Sequence, residues 1–186
     1  MSTAPLQAAI ESTRAELAAV GPEHLDAPTP CESWNVRDLI NHLIGAQHFF
    51  LAVVEGTAPS GEHHDFASGD YVSAFDDISG QLVEAFAAEG TMDKILTAPF
   101  GQLPGRAFIG FAVNDTFVHG WDLAKSTGRS TDIAPELAAG VLAGARTSIP
   151  DAMRGADGKM PFGPAQEAPA GASNADQLAA FLGRRA

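Results

Sequence analysis

The chain is poor in the residues that several protein classes require. Its 186 residues include a single cysteine, Cys31, so no internal disulfide can form and a small cross-linked secreted scaffold is excluded. Cations are scarce. Eleven Lys and Arg stand against 23 Asp and Glu, a formal net charge of −12, and no basic run exceeds the Arg184-Arg185 pair, so a nucleic-acid partner is not expected. No uncharged apolar window approaches the ~20 residues needed to cross a bilayer. The opening Met-Ser-Thr-Ala-Pro also lacks a basic segment followed by an apolar core. Together these absences point to a cytoplasmic protein with no membrane partner. Internal repeats and convincing strand alternation are missing as well, and the length suits one domain over residues 1–186.

What is present is helical periodicity. Leu6, Ala9, Ile10, Leu17 and Val20 predict a first helix over residues 3–20, with Pro5 in its first turn and Gly21-Pro22 as its stop. Asn35 reads as the N-cap of a second helix, with Asp38 reciprocal to it and Trp34 and Leu39 placed as a hydrophobic staple. That helix runs to about Glu55 on a stripe of Val36, Leu39, Ile40, Leu43, Phe50 and Val54. A second strip, Ala46, Phe49 and Val53, carries His42 with it by helical angle, whereas His48 falls with Arg37, Asn41 and Glu55 on the polar side. Residues 56–70 read as a loop. A third helix follows over 71–89, with Val72, Phe75, Ile78, Leu82 and Phe86 inward and Gly90 at its C′ position. Pro99, Gly101, Pro104 and Gly105 make residues 91–105 irregular, with Ile95 to Ala98 briefly extended. A fourth helix occupies 106–126. Asp132 reads as the cap of a fifth, which carries Leu137, Val141, Leu142, Ala145 and Ile149 up to Pro150. Residues 151–172 form a long Gly/Pro-rich connection. A short helix over Asn174 to Leu182, capped by Ser173 with Asp176 and ended by Gly183, closes a C-terminal extension of residues 151–186. The fold class is all-α, an up-and-down helix bundle with short peripheral helices.

The fourth helix holds the chemistry. Asp115 and His119 sit one turn apart, about 40° around the axis, within a helix made apolar on most sides by Phe108, Ile109, Phe111, Val113, Phe117, Val118, Trp121 and Leu123. A carboxylate and an imidazole in such surroundings need a partner, because an unpaired buried charge is costly. His42 on the inward strip of the second helix supplies the third member of a candidate metal triad: His42, Asp115 and His119. Two imidazoles and one carboxylate suit a divalent first-row ion, Zn²⁺ first and Ni²⁺ second, with positions left open for a small molecule. Asp122, on the same helical stripe as Asp115, is placed either to accept from a ligand imidazole or to act as a fourth ligand.

Plainer roles compete for each residue. An Asp/His pair at this spacing also forms simple surface ion pairs, and Asp122 alone reads as a structural acceptor. Trp121 is expected in the core, His63 and His64 as a solvated pair, and His24 in a turn. Cys31 is expected as a small buried filler with nothing cationic beside it. Arg37, Arg106, Arg146 and Arg154 are each candidates to recognise a carboxylate, and spacing does not choose among them.

Three stretches together resemble a known family. They are T-P-C-E-S-W-N-V-R-D-L-I-N-H at Thr29 to His42, D-T-F-V-H-G-W-D-L-A-K-S-T-G at Asp115 to Gly128, and the closing A-F-L-G-R-R. The chain resembles actinobacterial DinB-like proteins related to the N-terminal domain of mycothiol-dependent maleylpyruvate isomerase. The resemblance implies a DinB-like four-helix bundle, often a homodimer, whose metal is held by residues falling on His42, Asp115 and His119. The isomerase has Glu where this chain has Asp115, and it carries a further C-terminal domain for which 186 residues leave no room. The resemblance also implies thiol chemistry, with a low-molecular-weight thiol such as mycothiol activated for attack on a small electrophile, as in an S-transferase or isomerase. Two other functions compete with it: a non-catalytic metal- or small-molecule-binding dimer, and a specialised-metabolism enzyme using the bundle cavity for different chemistry.

Overall fold

A computed structural model of the protein describes residues 2–58, 64–156 and 159–185. It is mostly helical, with six α-helices and one two-stranded sheet among the described residues. The helices are α1 (Ala4–Leu17), α2 (Val36–Glu55), α3 (Tyr71–Ala87), α4 (Gly105–Ser126), α5 (Pro135–Ser148) and α6 (Asn174–Phe181). The first four pack in a closed ring. α1 lies against α4 and α3, and α2 lies against the same two. Inside the ring Phe75, Phe86, Phe108, Phe117 and Trp121 are fully buried among Leu6, Leu17, Leu39, Leu43 and Leu82. Each such side chain contributes about 1.5–3 kcal/mol relative to exposure. α5 and α6 pair with each other, and α6 also rests on α4.

Local signals act where the sequence places them. The Asn35 side chain accepts from the Asp38 amide at 2.9 Å, and the Asp38 carboxylate accepts from the Asn35 amide at 3.1 Å, so α2 opens on a capping box. Ser173 caps α6 by accepting from the Asp176 amide at 3.1 Å. The predicted inward stripe of α2 is buried, and His48 is exposed, stacked on Phe66. Trp121 is in the core, its Nε1 donating to Asp176.

Several boundaries differ from expectation. α1 ends at Leu17, three residues early, although Val20 is still buried. α3 stops at Ala87. The stretch expected to be irregular folds as an antiparallel hairpin, β1 (Ile95–Ala98) with β2 (Gly101–Pro104), so the class is not purely helical. Asp132 does not cap α5. That helix starts from Ala134, held at φ 37°, with Pro135 supplying the preset φ of a first helical position. Ile149 lies just past its end. The long connection is not featureless: a 3₁₀ turn at Asp151–Met153 leads to a bridge between Arg154 and Phe162. His63 lies outside the described residues.

One polar junction sets the height of α4 in the ring. Thr13 of α1 donates its hydroxyl to the Thr116 carbonyl at 2.8 Å, and Gln47 of α2 donates to the Thr116 hydroxyl at 2.9 Å, all three side chains being fully buried. α1 crosses so closely here that a methyl group on Gly120 would lie 3.1 Å from the Thr13 Cα. Thr116 is the neighbour of Asp115, so this junction also fixes where the acidic side chain meets α2.

Candidate metal centre

The second and fourth helices bring His42, Asp115 and His119 together. His42 Nε2 lies 3.4 Å and His119 Nε2 3.7 Å from the same atom, Asp115 Oδ1. One ligand atom from each residue falls within 4.8 Å of the other two. These separations exceed the usual hydrogen-bond length. They approach the spacing of about 3.4 Å between donors each ~2.1 Å from a tetrahedral ion. The other oxygen, Asp115 Oδ2, is buried with no hydrogen-bond partner among the described residues, an arrangement that costs free energy unless something else engages it. The donor set and this orphaned oxygen both fit a divalent cation.

Exposure is graded through the cluster. Side-chain accessibility falls from 33% at His42 and 26% at Asp115 to 8% at His119 and 0% at Asp122. The first two thus face a cleft of about 1690 Å³, which His119 also lines, while Asp122 lies fully buried behind it. Behind His119, Asp122 Oδ2 accepts from Nδ1 at 2.9 Å. An ionised carboxylate can only accept, so the proton resides on Nδ1 and the lone pair of Nε2 points toward Asp115 and His42. Asp122 thus stands behind His119 as an acceptor, and with Cys31 and His119 it also forms a second group whose potential ligand atoms lie within 4.8 Å of one another.

The electrostatics follow from the same contacts. Burial works to lower the His42 pKa, but the Asp115 carboxylate outweighs it and raises the imidazole above its ordinary value. Burial works to raise Asp115, and His42 holds it below the usual carboxylate range. Burial prevails at His119, which is lowered despite the Asp122 hydrogen bond. Asp122 is driven far down although burial opposes it, because Arg184 and His119 both stabilise its charge.

Three participants escape the sequence reading. Trp34 lies against both histidines, with ring centroids 4.6 Å from His42 and 5.7 Å from His119, and so covers one side of the triad. Its position just before the α2 cap was legible; its second contact was not. Cys31 is not a filler among apolar groups. Its sulfur lies 3.6 Å from Asp122 Oδ2 and 3.5 Å from Arg184 Nη2, on the cleft lining. Arg184 is the cation at this site. The four arginines singled out from sequence serve elsewhere: Arg37 pairs with Asp65, Arg106 with Asp93, Arg146 is exposed, and Arg154 binds the Gly163 and Phe181 carbonyls. His24 accepts from the Gly21 amide in its turn, and His64 lines the cleft near Phe66. Phe49, Phe66, Phe100 and Phe111 add aromatic surface to the same cleft. No described helix is long and apolar enough to cross a membrane.

Comparison with known proteins identifies the family. The profile of the mycothiol maleylpyruvate isomerase N-terminal domain matches residues 6–124, which include all three triad residues and Asp122. Two curated proteins of Mycobacterium tuberculosis, from strains CDC 1551 / Oshkosh and H37Rv, are each described only as an uncharacterized protein. Each is 40% identical over 178 residues, covering 96% of this chain and 94% of its own length. No solved structure matches the chain significantly.

Proposed function

The chain belongs to the mycothiol maleylpyruvate isomerase N-terminal domain family, and from that premise we propose that it is a divalent-metal-dependent enzyme of the thiol S-transferase or isomerase type. It would activate a low-molecular-weight thiol, mycothiol or one like it, for attack on a small electrophile. One observation carries this reading: Nε2 of His42 and Nε2 of His119 converge on a single oxygen of Asp115, whose second oxygen is buried and unpartnered. His42, Asp115 and His119 would hold the ion, with Zn²⁺ preferred and Ni²⁺ the alternative. When bound, such an ion favours the thiolate form of a coordinated sulfur at neutral pH.

The protein's own residues supply the rest. Asp122 keeps the His119 Nε2 lone pair available, as partners behind a metal-ligating imidazole do. Trp34 shields one side of the triad from water. The aromatic wall of Phe49 and Phe111 receives the apolar part of a substrate, and the open side of the cleft admits it. A DinB-like up-and-down four-helix bundle is the fold we assign, supported by the closed ring of α1 to α4. A single domain, a homodimer, a cytoplasmic location and a small-molecule partner belong to the same proposal.

The test has two stages. Elemental analysis of protein purified without added metal, followed by Zn²⁺ and Ni²⁺ titration, should find about one ion per chain, and failure to retain either ion overturns the proposal. Incubation of the loaded protein with mycothiol and a panel of electrophiles, read by mass, should then give thioether conjugates or isomerised product.

A further inference from the structure

The family match ends at residue 124, yet the buried side of the triad is completed by a residue 60 positions later in the chain. We infer that Arg184 is a positioning residue of the metal centre, acting through Asp122 on His119, and that the C-terminal segment is therefore an integral part of the site. This rests on the proposed metal-binding role of the triad.

The contacts form a directed series. Arg184 Nε donates to Asp122 Oδ1 at 3.2 Å and Nη2 donates to Oδ2 at 2.9 Å, a two-pronged fork on a carboxylate with no solvent exposure. The fork fixes the plane of the carboxylate. Oδ2 then accepts from His119 Nδ1, so the same oxygen that binds the guanidinium determines which imidazole nitrogen carries the proton. Without the fork, the Asp122 side chain loses the two bonds that set its rotation. His119 then loses the fixed acceptor that keeps its Nε2 lone pair free.

Arg184 reaches this position because the chain is turned and anchored on either side of it. α6 ends at Phe181, and Gly183 follows at φ 100°, a conformation a side chain rarely adopts, with its Cα surface against the backbone of Gly163. A methyl group on Gly183 would lie 2.5 Å from the Gly163 Cα. Arg154 secures the same junction: its Nη1 donates to Gly163 O and Phe181 O, and its guanidinium stacks 4.3 Å above the Phe181 ring. Arg154, Gly163 and α6 thus brace the turn that aims Arg184 back at Asp122. This gives the Gly/Pro-rich connection a definite task.

The test compares wild type with R184Q and R184K, using R146Q, at an exposed arginine outside the site, as a control. Long-range ¹H–¹⁵N correlation spectra of the metal-free proteins report the His119 tautomer directly. Wild type and R146Q should show the proton on Nδ1. R184Q should show a mixture of tautomers and bind Zn²⁺ with an affinity lower by ~10- to 100-fold, the range seen when a partner behind a ligand is lost. R184K keeps the charge without the fork and should fall between. If R184Q and R184K are folded and keep both the Nδ1 tautomer and wild-type Zn²⁺ affinity, the inference fails. If neither variant folds, Arg184 is only a structural brace and the inference also fails. Should wild type bind no metal while the tautomer still responds to Arg184, the metal-centre proposal fails and the positioning role stands.

Discussion

His42 on α2 and Asp115 on α4, separated by 73 positions, meet with Nε2 and Oδ1 3.4 Å apart at the edge of the cleft. His42 also meets His119 edge-on, with ring centroids 4.6 Å apart, but Asp115 Oδ1 is the one atom that faces the Nε2 of both imidazoles. Removing the carboxylate in Asp115→Asn should therefore lower Zn²⁺ affinity by more than the ~10- to 100-fold expected for a residue that merely orients a ligand. Competition with a chromophoric chelator measures it. Affinity within threefold of wild type would remove Asp115 from the ligand set.

Metal affinity should depend on pH in two steps with a definite order. Imidazole ligands must be neutral to bind. The Asp115 carboxylate, acting against burial, raises the His42 pKa above its ordinary 6.5, so His42 takes up a proton first as pH falls. His119, lowered by burial, resists protonation until below 6.5. Apparent Zn²⁺ affinity should thus begin to drop above pH 6.5 with a slope of one proton, steepening toward two below it. His42→Ala should abolish the first step and leave the second. A titration of affinity against pH that shows both protons entering together below 6.5 would contradict the assignment.

The Asp122 and Arg184 pair gives a stability prediction independent of metal. Both groups are withdrawn from solvent, and breaking a buried pair by deleting one partner costs about 3–5 kcal/mol because the other charge is left uncompensated. Asp122→Ala should destabilise the metal-free protein by that order in urea denaturation. The linkage sign is set by the depressed Asp122 pKa. The pair contributes fully above the ordinary carboxylate value near 3.8, and its contribution is lost only as pH falls below that value toward the much lower folded one. The Asp122 charge itself therefore adds no pH dependence between pH 5 and 8, and the gap between wild type and variant should widen as pH falls through the histidine range, because Asp122 also favours the protonated forms of His119 and His42.

How much of this was legible depended on the distance over which the information acts. The α2 capping box is written in four consecutive residues, Asn35 to Asp38, and folds as written. His42 and His48 separate by helical angle alone, because six residues on one regular helix fix the relative direction of two side chains. Arg184 could not be found that way. Its partner Asp122 lies 62 residues away, and the pairing depends on a left-handed Gly183 and on the Arg154 brace, neither of which has a periodic signature. The β1–β2 hairpin failed for a related reason. Strands of four residues, the second bounded by Gly101 and Pro104, are too short to show alternation, and their Pro and Gly content reads as irregular. At α5 the helix starts three residues after the expected cap Asp132, with Pro135 in its first turn.

The last prediction tests the packing that carries Asp115 to its place. At Gly120 the backbones of α1 and α4 approach so closely that an added methyl group would meet the Thr13 hydroxyl and lie 3.1 Å from the Thr13 Cα. Part of that obstruction is backbone, which cannot rotate aside as a long side chain can. In an open helix, Gly→Ala raises stability by about 0.5–1 kcal/mol through propensity. Here overpacking, typically about 1–3 kcal/mol, opposes it and is the larger effect. Gly120→Ala should lower stability, whereas Gly110→Ala, on the same helix with nothing within 4 Å of the added methyl, should be neutral or stabilising. The displacement should also reach the site, because the Thr13 hydroxyl that would have to move donates to Thr116 O, one residue from Asp115. Gly120→Ala is therefore expected to weaken Zn²⁺ binding while Gly110→Ala does not, and equal behaviour of the two variants in denaturation would show that α1 does not hold α4 at this height.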